Sequence, residues 1–474
     1  MILMARWIVI ALILSAGLSL PLLGIQSDSL RNDPHERQFQ LAVSHYNSGQ
    51  YQAAARELES LVQGAPPNFE VEELLGLVYS AQARDRDARL HFEKAVHLNP
   101  DSGAARANLA VSLARLGKND LAEATFKRAV QAEPQDFSVN HDFGEFYARD
   151  GKAKAAIPYL LNAQRADPSS YGNAYDLALA YVEADMRAEA RQQIQDLLKT
   201  KDTAELHNLL GEVEEKSGQY MAAANQYQRA ARMDPSESNI FDWGGELLLH
   251  QTLNPAIEVF SEGVKRYPDS ARLAVGLGLA LYWRANYDDA IKALVKATDL
   301  DPSDPRPYYF LSKAYGRSHN QADEVIERFR RFAQINPQDG RAAYYYAMSL
   351  WKGKQTQTSG PHLAQVESLL KRAVELDPSF APAHLELGNF YSQQRQYAEA
   401  VPEYQRAIQL DARLTDAYYR LGQAYVQLNQ KDLAQKEFQI HQQLYQKHLA
   451  EWDKDQQEIR QFVFTKRGEG SVPR

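Results

Sequence analysis

The amino-acid sequence predicts an all-α protein, an α-solenoid built from a tandem array of helix hairpins. A first observation is that a frame of about 34 residues divides residues 35–448 into twelve similar repeats. A second is that no stretch of any length alternates apolar and polar residues as a half-buried strand does. A fixed period of this length is typical of repeat architectures. A third observation marks the period directly: short segments ending in proline recur 34 residues apart at Pro100, Pro134 and Pro168, and again at Pro235, Pro302 and Pro378.

The composition of the 474 residues limits the possible functions. Hydrophobic residues make up 44% and charged residues 24%, as in ordinary globular proteins. The 53 Lys and Arg residues against 61 Asp and Glu residues give a net charge of −8. The chain therefore lacks the basic footprint that general nucleic-acid binding requires. Cysteine is absent, which excludes disulfides, thiolate zinc sites and a cysteine nucleophile.

The first 27 residues form an apolar segment. Arg6 is the only charged residue before Asp28, residues 7–14 are the most apolar part, and Pro21 interrupts the run. This pattern resembles a secretory signal peptide, and residues 28–34 would follow it as a linker. One alternative is an uncleaved anchor, because an uncharged run that spans a bilayer needs about 17–25 residues. A buried first helix is another. We expect a protein outside the cytoplasm of a bacterium, periplasmic or secreted, or held at the inner membrane by this segment.

Each repeat carries the pattern of two helices that pack against each other. Position 8 is small in all twelve repeats, position 20 is alanine in ten, and position 24 is aromatic in seven. Because proline cannot continue a helix, the proline at position 32 of nine repeats ends the second helix. The repeats span residues 35–68, 69–102, 103–136, 137–170, 171–203, 204–237, 237–270, 271–304, 305–339, 340–380, 381–414 and 415–448.

The positions of these residues explain the hairpin. A small residue at position 8 opposite alanine at position 20 lets the two helices approach closely. Large residues at positions 7, 11, 24 and 27 then fill the space around that contact. A single hairpin cannot bury its apolar side alone, so we expect neighbouring hairpins to stack.

These residues resemble tetratricopeptide repeats over residues 35–448. The resemblance implies a right-handed superhelix of paired antiparallel helices, with a concave groove lined mainly by the first helix of each repeat. Three repeats depart from the pattern: repeat 5 lacks the proline, repeat 9 has one extra residue, and repeat 10 has about seven residues inserted between its helices. The last repeat also lacks the proline and continues into residues 449–474, which we expect to form a solvating end helix and a tail.

The sequence shows no motif for catalysis, for a metal or for a cofactor. The flanks of the array hold 34 and 26 residues, too few for a catalytic domain. Neither H-E-x-x-H, nor a P-loop, nor G-x-S-x-G occurs. His441 and His448 share a helix face, but no acid at a matching spacing completes a site. We therefore predict that the protein is not an enzyme and has no catalytic, metal-binding or cofactor-binding residues.

Residues that the hairpins do not need for packing lie on another face of each first helix, at positions 2, 5, 9, 12 and 13. In repeats 4–7 this face is acidic, with Asp142, Glu145 and Asp176 among its residues. In repeats 8–10 it is aromatic and basic, a combination that dominates binding hot spots. The alternative is that the tyrosines pack between adjacent repeats and the arginines only solvate them. The predicted patch, for protein or peptide ligands including acidic segments, consists of Arg272, Tyr282, Trp283, Arg306, Tyr309, Lys313, Arg317, Arg341, Tyr344 and Trp351.

The predicted function is a non-enzymatic scaffold outside the cytoplasm that binds protein partners in its groove during envelope assembly or secretion. Nucleic acids are not expected partners, and a membrane is expected only at the N-terminal segment. The alternative is a helper of polysaccharide export that binds carbohydrate, since similar exported arrays accompany such systems. Some co-chaperones of the resembled family clamp peptide tails. Here only Asn389 and Arg420 match that clamp, and Leu385 stands where its lysine would be, so that function is not transferred.

Overall fold

The structure is a computed structural model that describes residues 34–64, 66–318, 322–353 and 361–448, together with Arg460. These residues form 24 α-helices and contain no β-strand, which confirms the predicted all-α class for this part of the chain. The predicted signal peptide or anchor (1–27) lies outside the described residues. So do the linker (28–34) apart from Pro34, and the end helix and tail (449–474) apart from Arg460.

The described chain divides into two compact units, an N-terminal unit and a C-terminal unit that begins at Tyr220. Odd-numbered helices are the first helices of the repeats, and even-numbered helices are the second. The N-terminal unit contains α1 (Pro34–Asn47), α2 (Tyr51–Gly64), α3 (Phe69–Ala81), α4 (Asp85–Leu98), α5 (Gly103–Arg115), α6 (Asn119–Ala132), α7 (Phe137–Arg149), α8 (Ala153–Ala166), α9 (Tyr171–Glu183), α10 (Arg187–Thr200) and α11 (Ala204–Lys216).

The C-terminal unit contains the remaining helices. They are α12 (Tyr220–Met233), α13 (Glu237–Leu249), α14 (Leu253–Arg266), α15 (Ala271–Trp283), α16 (Tyr287–Leu300), α17 (Pro305–Arg317), α18 (Ala322–Ile335), α19 (Gly340–Gly353), α20 (Pro361–Leu376), α21 (Ala381–Gln393), α22 (Tyr397–Leu410), α23 (Thr415–Gln427) and α24 (Lys431–His448). The 24 helices match the two helices that the sequence predicts for each of about twelve repeats.

The two helices of a hairpin meet where the small residue at position 8 lies beneath the large residue at position 24. A methyl group on Gly278 would lie 2.6 Å from Cγ of Leu294, and one on Gly388 would lie 2.7 Å from Cε1 of Tyr404. The sequence predicts that the alanine at position 20 of the repeat lies opposite position 8. That alanine is buried in all ten repeats that carry it. The side chain that closes over position 8 is nevertheless the one at position 24.

Polar residues fix where the first helices begin. The side chains of Ser102, Asp136 and Ser270 each accept a hydrogen bond from the backbone amide three residues later, at 3.1, 2.8 and 3.2 Å. Such N-caps satisfy a backbone donor that the helix itself leaves without a partner. In these repeats a polar side chain therefore sets where the first helix starts. The proline before it sets where the preceding second helix ends.

The turn inside the hairpin has the same backbone in ten repeats. The second residue after the first helix has a positive φ, between 56° and 73°. Four of these residues are glycines and six carry a side chain: Gly49, Ala83, Gly117, Gly151, Asp185, Gly218, Gln251, Ala285, Arg395 and Asn429. Since side chains other than glycine rarely adopt this conformation, the hairpin imposes it on them.

Helix packing within each unit is local. Every substantial contact joins a helix to its first or second neighbour along the chain, so first helices such as α5 and α7, or α17 and α19, lie side by side. Each unit is therefore a solenoid in which the faces of successive first helices adjoin. No described helix is both long and apolar enough to cross a membrane.

Candidate functional site

The ten residues of the predicted patch lie on three first helices of the C-terminal unit, α15, α17 and α19. Eight of them are partly buried, while Arg317 and Arg341 are exposed. The structure thus places the patch on adjoining helices. It also shows that most of these side chains already have protein neighbours.

Tyr309 and Tyr344 of the patch pack against other side chains of their own repeats. The Tyr344 ring lies edge-on to Phe380, with ring centroids 5.2 Å apart, and its burial raises the pKa of Tyr344 well above its usual value. Tyr309 lies 4.9 Å from the Phe310 ring, and the Lys313 ammonium sits 4.7 Å from the Tyr309 centroid. Both rings are therefore partly buried against protein neighbours, and their role in partner binding stays a prediction.

Two arginines of the patch are bound to carboxylates of the same unit. Nε of Arg272 donates to Oε1 of Glu237 at 2.8 Å, and the guanidinium lies 5.2 Å from the ring of Phe241. Arg306 donates to both carboxylate oxygens of Asp304, at 2.8 and 3.0 Å. These pairs reduce what the two arginines can offer to an acidic ligand, because a new carboxylate would have to replace an existing one.

The indole side chains of the patch differ in their surroundings. The Trp283 ring packs beside Tyr282, and its Nε1 is buried without a hydrogen-bond partner among the described residues. Nε1 of Trp351 donates to Oε1 of Gln393 at 2.9 Å, and its ring lies 5.7 Å from Phe390. Trp351 therefore links α19 to α21, two consecutive first helices.

A cavity of about 830 Å³ lies on the first-helix faces of repeats 10–12; we call it the α19–α23 cavity. Trp351 is the one residue of the predicted patch that lines it. Tyr397 and Tyr404 of α22 and Phe438 of α24 complete its walls. The residues that the three first helices contribute include Trp351, Lys352, Glu386, Asn389, Gln393, Tyr419, Arg420 and Gln423.

Hydrogen bonds hold the floor of the cavity in place. The Tyr404 hydroxyl donates to Oδ1 of Asn389 at 2.9 Å and lies 3.0 Å from the Ser392 hydroxyl. Nδ2 of Asn389 donates in turn to Oε2 of Glu386 at 3.1 Å. The Tyr404 side chain is fully buried, and burial raises its pKa to about 12, so it remains a neutral donor. The amide of Asn389 is therefore oriented before any ligand arrives.

The charged side chains of the cavity differ in how many protein partners they have. Lys352 and Arg420 have no ion pair and no hydrogen bond among the described residues. Burial raises the pKa of the Glu386 carboxyl, which the nearby Lys352 and Arg420 partly counteract. Asp416 is the second acid on the wall, and it is exposed. The cavity thus offers two cations and an oriented amide beside aromatic rings.

Most residues of this cavity lie outside the patch that the sequence predicts. Asn389 and Tyr419 occupy positions 9 and 5 of repeats 11 and 12, two of the positions that defined the patch in repeats 8–10, whereas Glu386 and Arg420 occupy position 6. Part of the signal is therefore present in the sequence of these two repeats.

The part of the predicted acidic face that repeats 4 and 5 contribute lies in the N-terminal unit. Burial and the neighbouring Glu145 raise the pKa of Asp142 to about 7 and that of Asp176 to about 8. Nε2 of His141 lies 3.5 Å from Oδ2 of Asp176, and Arg149 pairs with Glu145. No group of three or more possible metal ligands occurs among the described residues. This face is thus a cluster of carboxylic groups that burial keeps partly protonated near neutral pH.

Comparison with known families agrees with the repeat frame. Models described as a tetratricopeptide repeat match residues 73–137, 175–239, 255–305, 369–401 and 416–447. A further model described as a TPR repeat matches residues 388–429. Together these matches cover more than half of the chain.

Individual relatives are distant. The chain is 25% identical over 171 residues to Protein O-mannosyl-transferase TMTC1 of Homo sapiens, covering 35% of this chain and 19% of that protein. The chain thus spans about a fifth of that relative's length. Yeast Tom70 is similar in structure, with 15% identity, 92% of this chain and 96% of that chain covered, and a TM-score of 0.35. Naa15/Naa10 bound to HypK-THB has 16% identity, coverage of 86% and 68%, and a TM-score of 0.36.

Proposed function

The chain belongs to the tetratricopeptide repeat family, and from this premise we propose that it is a non-enzymatic scaffold that binds segments of other proteins along its first-helix faces. Repeats of this family generally serve as interaction scaffolds without catalysis. The similarity to an O-mannosyl-transferase covers 19% of that protein, and the proposal carries no transferase activity over from it.

The α19–α23 cavity is the observation that supports this proposal most directly. It spans three consecutive first helices, as an extended ligand lying across the repeats would require. Lys352 and Arg420 suit an acidic segment, because a carboxylate bound there would not displace an existing ion pair. The aromatic rings of Trp351 and Tyr419 give such a segment apolar contacts.

A binding experiment tests this part of the proposal. The full chain is screened against a synthetic peptide library in which acidic, neutral and basic peptides carry the same aromatic residues. We expect acidic aromatic peptides to bind. Trp351→Ala should weaken that binding by at least about 2 kcal/mol, and Arg420→Ala should weaken it as well. Arg406→Ala is the matched control, because Arg406 is exposed on α22 outside the cavity. Binding that is insensitive to both cavity substitutions would refute the site.

A carbohydrate ligand is the second candidate, in a helper of polysaccharide export. The observation that favours it is the lining of the same cavity, where the amides of Asn389, Gln393 and Gln423 lie beside aromatic rings. Hydroxyl groups of sugars pair with such amides, and sugar rings stack on aromatic faces. A glycan array run beside the peptide library separates the two ligands, and binding to glycans alone would replace the first candidate by this one.

The proposal also places the protein outside the cytoplasm, in envelope assembly or secretion. Its support is the sequence of residues 1–27, with Arg6, the apolar residues 7–14 and the interruption at Pro21. Cell fractionation followed by N-terminal sequencing tests it. Recovery from the cytosol with Met1 intact would refute export, whereas recovery from the membrane with Met1 intact would favour the anchor.

A further inference from the structure

Two aspartates stand at the same position of neighbouring repeats in the N-terminal unit. Asp142 on α7 and Asp176 on α9 both occupy position 6, and these two first helices adjoin. Asp176 is only 8% exposed, yet its carboxyl group accepts no hydrogen bond from the described residues. Nε2 of His141 approaches it at 3.5 Å, but burial lowers the pKa of that histidine, so the ring is neutral near pH 7. Asp142 likewise has no hydrogen bond and no ion pair among the described residues.

The other charged groups around these two aspartates are already engaged. Arg149 pairs with Glu145 on α7, and Arg115 of α5 lies 3.5 Å from a carboxylate oxygen of Asp85. The remaining acid nearby, Asp136, caps the start of α7 by accepting a backbone hydrogen bond at 2.8 Å. The two arginines therefore counteract the burial of the two aspartates only in part.

A positive charge is what this pair of carboxyl groups lacks. Burial and the neighbouring Glu145 raise the pKa of Asp142 to about 7 and that of Asp176 to about 8. A lysine or arginine side chain bound between them would supply the missing charge and let both groups ionise. Such a side chain has access, because 12% of the Asp176 side chain stays exposed and Asp142 is only partly buried.

We propose that the α7–α9 face, defined by Asp142 and Asp176, binds a basic segment of a partner protein through its lysine or arginine side chains. The inference goes beyond the proposed function, which assigns a segment of opposite charge to the cavity of the C-terminal unit. Neighbouring helices lie about 8–10 Å apart, and three extended residues span about 10 Å. Basic residues three positions apart in the partner therefore reach both aspartates. Each aspartate gives up a proton on binding, so the affinity should rise with pH.

A fluorescence anisotropy titration of the full chain tests the site. The probe is a fluorescein-labelled peptide with lysine at every third position, separated by serine and glycine, and a reference peptide carries glutamate in place of lysine. We expect the lysine peptide to bind, and Asp142→Asn/Asp176→Asn to weaken its binding by at least about tenfold. The matched control is Asp120→Asn/Asp196→Asn, which removes two exposed carboxylates from the second helices α6 and α10. Equal weakening by both double variants, or no binding of the lysine peptide, would overturn the proposal.

The pH dependence separates this site from a general attraction between a basic peptide and an acidic protein. Between pH 6.5 and 9 the affinity of the unmodified chain for the lysine peptide should rise by at least about tenfold, since Asp142 and Asp176 must release their protons to bind it. The lysines of the peptide stay charged for most of this range. Asp142→Asn/Asp176→Asn should abolish the rise, and Asp120→Asn/Asp196→Asn should keep it. A rise that both variants keep, or no rise in the unmodified chain, would contradict the assignment.

The double variant should fold, because asparagine has the shape of a protonated aspartate, and circular dichroism verifies its helical content. If that signal is lost, the single variant Asp142→Asn replaces it, since Asp142 is the less buried of the two. Acidic library peptides should bind the double variant as they bind the unmodified chain and should still lose affinity with Arg420→Ala. That result keeps the proposed function standing even where the α7–α9 face binds no basic peptide.

Discussion

Single atoms decide how closely the two helices of a hairpin approach. In repeat 8, position 8 is Gly278, and the space that a Cβ atom would need is occupied by Leu294. Repeats with alanine at this position, such as the one that contains Ala110, keep that alanine fully buried. Position 8 therefore holds a small residue because the side chain at position 24 closes over it.

We expect Gly278→Ala to destabilise the protein by about 1–3 kcal/mol, because the added methyl group forces the neighbouring Leu294 out of its place. Gly172→Ala is the control, since Gly172 is helical and has no atom within 4 Å of the position of its missing Cβ. That substitution should be neutral or should stabilise by up to about 1 kcal/mol. Urea unfolding of both variants gives the free energies. Equal effects would show that the contact with Leu294 is not tight.

The buried acids of the N-terminal unit predict a pH dependence. In the unfolded chain Asp176 titrates near its ordinary value of about 3.9, whereas in the folded chain its pKa is about 8. From pH 6.5 to 8 the folded state holds a proton that the unfolded state has released. The free energy of unfolding should therefore fall as the pH rises through this range and level off above about pH 9.

Circular dichroism during urea unfolding at each pH measures this effect. Asp176→Asn should flatten the slope, whereas Asp185→Asn should leave it unchanged, because Asp185 pairs with Arg187 and its pKa is lowered. Burial lowers the pKa of His141, so near pH 6.5–7 the unfolded state binds more protons at this residue, and its contribution there opposes that of Asp176 and fades as the pH rises further. Stability that stays constant or rises from pH 6.5 to 8 would contradict the proposed protonation of Asp176.

At the scale of the element, the hairpin turn imposes one backbone conformation on chemically different residues. Ala285 has a φ of 62° and Gly117 a φ of 72°, at equivalent places in repeats 8 and 3. The left-handed conformation costs a residue with a Cβ about 1–2 kcal/mol and glycine almost nothing. Six turns therefore carry a strain that the other four avoid.

We expect Ala285→Gly to stabilise the protein by about 1 kcal/mol, and Gly117→Ala to destabilise it by a similar amount. The second change isolates the backbone effect, because no atom lies within 4 Å of the site of the new methyl group. Thermal and urea unfolding of both single variants measure the two shifts. Shifts of the same sign would show that packing, and not the backbone, dominates at one of the two turns.

The two helices of each hairpin and their contact were predictable from the sequence, because the residues that form them lie close together in the chain. The residues at positions 8, 20, 24 and 32 lie within one hairpin, so 34 residues suffice to indicate two helices and their contact. The site was less predictable, since it depends on residues that lie far apart in the sequence. Tyr344 lies near the start of repeat 10, and Phe380, which its ring contacts, is the last residue of that repeat. Likewise Lys352 and Arg420 reach the same cavity from α19 and α23, with another first helix between them.

At the scale of the whole molecule, the tryptophans report on only part of the fold. Trp243, Trp283 and Trp351 belong to the C-terminal unit, and the described residues of the N-terminal unit contain no tryptophan. Circular dichroism, in contrast, reports on helices of both units. Because each helix contacts mainly its near neighbours, cooperativity is limited along the array.

We therefore expect urea unfolding followed by tryptophan fluorescence and by circular dichroism to give transitions that do not coincide. The urea dependence of the circular dichroism signal should also be shallower than that of a two-state protein of 474 residues. Coincident transitions with a steep slope would show that the chain unfolds as one cooperative body, against this expectation.

Local packing also has a consequence for inheritance. A gene that encodes similar segments in tandem gains or loses whole copies by unequal recombination. When contacts extend no further than the second neighbour, removal of 34 residues joins two surfaces that were already built to the same pattern. Such a protein changes its length in discrete steps without passing through an unfoldable ancestor. A scaffold of this kind adapts to a longer or shorter partner through its number of repeats, while the contacts between neighbouring repeats stay the same.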